Sequence, residues 1–202
     1  MEETTYIGPG DKPPAFKTAL LIVDIQNDYF PGGRNPLEGS VEAAANAARL
    51  LEFFRRSEHP VFHMQHVSNR PGATFFLPDT DGVRIHESVA PRPGEIALRK
   101  HYPNAFRDKE LLTQLSMAYV ARLVICGMMT HQCVDATVRA AVDYKLECVV
   151  AEDACATKAL EHRGRTVPAR DVHAAFLAAL GASYAKVMTT DEVLALLASP
   201  AG

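Results

Sequence analysis

Apolar positions fall into short runs that alternate with stretches of helical spacing. Residues 18–23 (TALLIV) form the first run, which ends at Asp24. Apolar on successive positions, it reads as a strand buried on both faces, as in a parallel sheet covered by helices on either side. Residues 60–67 (PVFHMQHV) predict a second strand, and residues 96–98 begin a third. Residues 121–126 (ARLVIC), 146–151 (LECVVA) and 184–188 predict three more. Between them, helical spacing covers residues 41–56 with Ser40 as N-cap, 108–115, 133–144 and 167–180. A last helix is expected over residues 191–197 behind a Thr190 cap. Strands alternating with helices predict an α/β fold: a three-layer sandwich with a central, mostly parallel six-stranded sheet flanked by helices on both faces.

Residues 1–15 carry Gly8, Pro9, Gly10, Pro13 and Pro14 and read as an extended N-terminal arm ahead of a single domain over residues 16–202. Residues 68–94 hold Pro71, Gly72, Pro78, Gly82, Pro91, Pro93 and Gly94. So long an irregular excursion is usually functional when ordered.

Composition narrows the function classes. With 48% hydrophobic and 22% charged residues the chain has ordinary globular usage. A net charge of −3 offers no basic field for nucleic acid. The longest apolar run, Ala174 to Leu180, is far short of the roughly 18–20 residues a membrane span needs. The start, MEETTYIGPGDKPP, lacks the apolar core of a signal peptide, so a cytoplasmic protein with reduced thiols is expected. Of the four cysteines, Cys126 and Cys148 sit inside apolar runs and read as inert core. No CxxC pair points to redox chemistry. No GxGxxG follows the first strand, which argues against a dinucleotide-dependent oxidoreductase.

In an open parallel sheet the ligand crevice lies beyond the carboxyl ends of the strands. Strand one ends in Asp24, strand three runs into Arg99-Lys100, and strand four runs into GMMTHQC, where a helix begins at Cys133. An acid, a lysine and a cysteine there suit nucleophilic catalysis. A helix N-terminus and an ammonium favour the thiolate, and an aspartate can take the thiol proton and return it to a leaving group. On spacing alone a second reading stands beside this one: Asp24 as a cap, Lys100 as a solvated charge and Cys133 as a small buried residue.

Three motifs bear on that choice: VDIQNDYFPGG (Val23 to Gly33), KHYPNAF (Lys100 to Phe106) and ICGMMTHQCVDATVRAA (Ile125 to Ala141). Together, in this order, they resemble the isochorismatase-like cysteine hydrolases, a family with a Rossmann-like layered fold that includes nicotinamidases and N-carbamoylsarcosine amidohydrolase. The resemblance covers about residues 16 to 192. It implies Cys133 as nucleophile, Asp24 as general base and later acid, and Lys100 as the charge that steadies the pair. It further implies a cis Met128–Met129 peptide bond, and an oxyanion hole from the backbone N–H groups of Met129 and Cys133. The implied reaction is hydrolysis of a C–N bond in a small amide-like substrate through a thioester, with no cofactor, in a homo-oligomer (dimer or tetramer). Two alternatives are isochorismate-type vinyl ether hydrolysis, which relatives carry out without a nucleophilic cysteine, and a non-catalytic member that binds a metabolite or a protein.

Nicotinamidases carry a metal site built on Asp-x-His after strand two. The corresponding stretch here, HMQHVSNR, lacks the aspartate, and His63 and His66 are three apart on a strand, hence on opposite faces. No metal is therefore expected. His63 reads as a core histidine, and His66 faces the pocket. Phe30, Phe106 and His131, which flank the motifs, and Phe75 and Phe76 of the long loop are candidates for the pocket wall; Phe75-Phe76-Leu77-Pro78 could equally fill the core or pack on a partner subunit. Gln26 and Asp28 read as loop-fixing residues, with substrate contact as the alternative, Arg99 and Arg139 as ion-pair partners, and His173 as a surface histidine, with a subunit interface as the alternative.

Overall fold

Parity along the first strand builds the layers. Leu20 and Ile22 join one buried cluster, and Ala19, Leu21 and Val23 join another on the opposite side of the sheet. The computed structural model describes residues 16–199; the arm expected over residues 1–15 lies outside them. In chain order the elements are β1 (Lys17–Val23), α1 (Ser40–Arg56), β2 (Val61–His66), β3 (Ile96–Lys100), α2 (Glu110–Met117), β4 (Val120–Met128), α3 (Asp135–Asp143), β5 (Glu147–Ala156), β6 (Leu160–His162), β7 (Arg165–Val167), α4 (Ala169–Ser183), β8 (Lys186–Met188) and α5 (Thr190–Ala198). Six strands make one sheet in the order β3-β2-β1-β4-β5-β8, every neighbouring pair parallel.

One cluster packs Ala43, Ala47, Leu50, Leu51 and Phe54 of α1 and Val193 of α5 against Leu20, Ile22, Val124 and Cys126. The other packs Leu111 and Leu115 of α2, Val138 of α3 and Leu177 and Leu180 of α4 against Leu21, Phe62, Met64 and Ile125. Each fully buried Val, Leu, Ile, Phe or Met side chain among them contributes about 1.5–3 kcal/mol of hydrophobic stabilisation. The central strands therefore read as continuous apolar runs because both their faces are covered.

The boundaries differ from expectation for local reasons. Gly39, left-handed at φ 72°, precedes α1, and Ser40 is its buried first residue, not its cap. α5 starts one residue early, behind a capping box in which Thr189 and Glu192 exchange hydrogen bonds. A hairpin, β6–β7, turns at Arg163 and Gly164, both with positive φ, in a stretch where no strand was expected and whose Val167 was assigned to a helix. Its residues are largely exposed and polar, so they carry no apolar alternation. β4 and β5 run beyond their apolar cores to Met128 and Ala156, after a register irregularity past Ile125.

His63 is buried on the α1 side, where its Nε2 meets Glu95 Oε2 at 3.0 Å. Arg55 of α1 clamps both Glu95 oxygens at 2.6 and 2.8 Å, and the Arg92 N–H adds a fourth contact. Burial works to raise the Glu95 pKa, but these hydrogen bonds outweigh it and hold the carboxyl down at about 2. A folded-state pKa below the unfolded one stabilises above the unfolded value and is lost as pH falls through the folded one. Glu95→Gln is therefore expected to destabilise at neutral pH, and by less and less as pH falls from about 4.5 to about 2. Urea unfolding across that range checks this; a difference that stays constant with pH rules out the ionic contribution.

Candidate active site

Asp24 follows the last residue of β1 and is fully buried. Its φ of 51° ends the strand there, while its N–H still donates to the Met64 carbonyl at 3.1 Å. Opposite Val23, Gly127 of β4 has φ 134°, and a Cβ at this position would run into the Val23 carbonyl. Only glycine lets β4 pass so close to the end of β1. Beyond it the Met128–Met129 peptide bond is cis. The chain then makes a π-turn over Thr130–Val134, in which the Val134 N–H reaches the Met129 carbonyl at 3.2 Å. Cys133 lies in this turn, just ahead of α3 rather than in its first regular turn as expected.

Lys100 closes β3, in register with His66 at the end of β2. Two residues back, Leu98 belongs to the cluster on the α2–α4 side, and the strand period puts Lys100 on that side too. Lys100 is 1% exposed. Arg99 is exposed and donates to Gln65 at 3.3 Å. The Lys100 ammonium donates to Asp24 Oδ2 at 2.6 Å, to the Tyr102 carbonyl at 3.1 Å and to His66 Nδ1 at 3.2 Å. Among the described residues the other carboxylate oxygen, Asp24 Oδ1, is buried with no hydrogen-bond partner. A carboxylate oxygen of Asp24, a ring nitrogen of His66 and Cys133 Sγ lie within 4.8 Å of one another. That spacing could hold a metal ion, but the Lys100 ammonium stands against two of the three donors and supplies the positive charge itself.

Electrostatics set the resting protonation. Burial pushes the Cys133 thiol up, and the charge of Asp24 pushes it further, against the opposing pull of Lys100. At neutral pH the sulfur therefore carries its proton, whereas the sequence suggested a favoured thiolate; burial accounts for the difference. Burial also raises Asp24, opposed by the charge and hydrogen bond of Lys100. For Lys100, burial opposes the charged form, but Asp24 and Cys133 outweigh it and leave the ammonium more basic than usual.

Two residues of the first motif hold this arrangement. Gln26 is fully buried; its Nε2 donates to the carbonyls of His66 and Val83, and its Oε1 accepts the His66 N–H at 2.7 Å. Asp28 accepts the Arg34 N–H at 3.1 Å and the Phe76 N–H at 2.6 Å, tying the long loop to the segment after β1. Both act as the expected loop-fixing residues.

The wall candidates divide. Phe76 is buried and Phe75 half-buried, with rings 4.6 and 5.9 Å from that of Tyr29, and Phe76 lies 5.9 Å from the His66 ring. The apolar run in the loop is thus covered within the chain and gives no reason of its own for an oligomer. Phe30 stacks on His86 at 3.7 Å, beside the cleft lined by Arg34 and Thr80. Phe106 packs on Tyr144, at the end of α3 remote from Cys133. His131 bonds Thr157 and meets the Phe176 ring, on the α4 side. His173, expected at the surface, is half-buried and its Nδ1 meets Thr130 Oγ1 at 2.9 Å.

Tyr29 was not singled out by its sequence. It is 2% exposed, and burial, with the negative charge of Asp24 nearby, raises its pKa. Its place inside VDIQNDYFPGG, between the acid and the double glycine, was the available signal.

Comparison with known proteins gives this geometry a context. The isochorismatase domain model matches residues 18–192. Over 177 residues the chain is 51% identical to the isochorismatase family protein YddQ of Bacillus subtilis (strain 168), covering 88% of this chain and 98% of YddQ. A crystal structure from Oleispira antarctica superposes with a TM-score of 0.87 at 49% identity, covering 92% of this chain and all of that one. Maleamate amidohydrolase of Pseudomonas putida (strain KT2440) is 28% identical over 97% of this chain and 92% of its own.

Proposed function

This chain belongs to the isochorismatase family of hydrolases, and from that premise we propose that it is a cysteine-dependent amidohydrolase that cleaves a C–N bond of a small metabolite. The observation that carries this reading is the unpartnered Asp24 Oδ1. A buried carboxylate oxygen without a partner is costly and calls for a reason. With Oδ2 held by Lys100, Oδ1 is the base atom left for the thiol proton.

In this mechanism Asp24 Oδ1 accepts the Cys133 proton as Sγ attacks the amide carbonyl carbon. The carbonyl oxygen takes up the negative charge beside the backbone N–H groups of Met129 and Cys133. Asp24 passes its proton to the leaving nitrogen, the C–N bond breaks, and a thioester remains. Asp24 then takes a proton from water, which attacks the thioester; the acid departs and the proton returns to sulfur. Throughout, Lys100 remains an ammonium and compensates the charge on Asp24. The similarity to maleamate amidohydrolase supports an amide substrate. Cys133 speaks against the vinyl ether chemistry of relatives that lack the thiol, and the intact set of Asp24, Lys100 and Cys133 speaks against a non-catalytic role.

The test is release of ammonia or amine from a panel of small amides, with mass spectrometry of the quenched enzyme. Turnover of at least one amide with a transient acyl mass on the Cys133 peptide is expected, unchanged after exhaustive chelation. Hydrolysis without an adduct overturns the covalent route, and loss of activity on chelation overturns the metal-free one.

A further inference from the structure

An ammonium has three protons and no lone pair. The three protons of Lys100 meet three oxygen or nitrogen acceptors: Asp24 Oδ2, the Tyr102 carbonyl and His66 Nδ1. We propose that His66 is a positioning residue whose Nδ1 lone pair accepts a proton of Lys100, holding the ammonium on Asp24 as a fixed charge. The inference rests on the amidohydrolase reading only for its kinetic consequence.

The surroundings of His66 are built for that role. Its backbone N–H and carbonyl are both held by Gln26, so the root of the ring is fixed. The strand register sets His66 directly beside Lys100, and the Phe76 ring lies 5.9 Å from the imidazole. Because the ammonium only donates, Nδ1 must be the bare nitrogen, and the ring proton sits on Nε2. A charged ring could not accept at all. Burial first, then the positive charges of Lys100 and Arg70, keep the imidazole neutral, with its pKa pushed down to about 3.

Asparagine and leucine share a branching shape and differ in the acceptor, so the pair His66→Asn and His66→Leu isolates the hydrogen bond. Losing a hydrogen bond to a charged group costs about tenfold or more, so kcat is expected to fall by that factor in His66→Leu with KM nearly unchanged. His66→Asn should retain most of kcat. Iodoacetamide labelling of Cys133, followed on its peptide, should slow in His66→Leu and recover in His66→Asn. That measurement needs no substrate, so it stands even if no amide in the panel is turned over. Nitrogen-15 spectra of the wild-type imidazole should show the Nε2–H tautomer between about pH 5 and pH 8, well above the depressed pKa. Equal behaviour of the two variants, or a ring protonated on Nδ1 in that range, overturns the proposal.

Discussion

Cys133→Ala is expected to abolish turnover while leaving the fold in place. The thiol is the covalent centre of the proposed reaction, and the methyl group of alanine cannot form the thioester in its stead. Cys133 is 3% exposed and packs with Val134 and Val138, so truncating it costs packing, on the order of 1 kcal/mol as for other small buried truncations. Circular dichroism and thermal melting separate the two effects. Cys126→Ala provides the contrast. Cys126 is fully buried in the α1-side cluster, away from the acid and the lysine, so its loss should lower stability by a similar amount and spare activity. An active Cys133→Ala removes covalent catalysis from the account. A folded but dead Cys126→Ala moves the nucleophile to the other side of the sheet.

Lys100→Met should be the second severe variant, and its signature is double. Methionine keeps most of the apolar stem and deletes the charge. Removing a preorganised charge that stabilises a reacting centre costs about a hundred- to a thousandfold in kcat, with a smaller change in KM. Stability should fall as well. The side chains of the pair are only 2% and 0% exposed, and breaking a buried ion pair costs about 3–5 kcal/mol because the remaining charge is stranded. The stranded group can relieve that cost by taking a proton. Without Lys100, burial loses its main opponent and raises the folded pKa of Asp24 further above the unfolded value. A raised carboxyl pKa gives stability that is present below the unfolded value and lost as pH rises through the folded one. The deficit of Lys100→Met relative to wild type should therefore widen as pH rises from the acid range, which denaturant unfolding at several pH values will read. Lys100→Arg keeps the charge but replaces a compact ammonium with a planar fork, which cannot match the same three acceptors, so it should rescue poorly. Arg99→Ala, at an exposed neighbouring side chain, is the control expected to be near wild type. An inactive Arg99→Ala beside an active Lys100→Met would reverse the strand phase on which the site is built.

The legibility of this protein divides along chain distance. Buried strands that read as apolar runs, α1 with its alanines and leucines on one face, and the three motifs at strand ends are local patterns, and each is visible within about ten to fifteen residues because period and burial are short-range properties. They were enough for the layered α/β fold and for the convergence of Asp24, Lys100 and Cys133 at the carboxyl edge of the sheet. The β6–β7 hairpin escaped because its exposed polar strands have no burial to pattern them. The cap positions slipped by one residue because a left-handed glycine or a capping box does its work on either side of the first helical residue. What the tertiary structure alone decided is how the site is held. The Lys100–Asp24 pair spans 76 residues, the Lys100–His66 contact 34, and the Gln26–His66 clamp 40. Strand order and register create those contacts, and no local pattern encodes which strand lies beside which. The same holds for the protonation of Cys133: the sequence offered a nearby cation and a helix start, but the degree of burial that keeps the proton on sulfur comes from every layer packed around it.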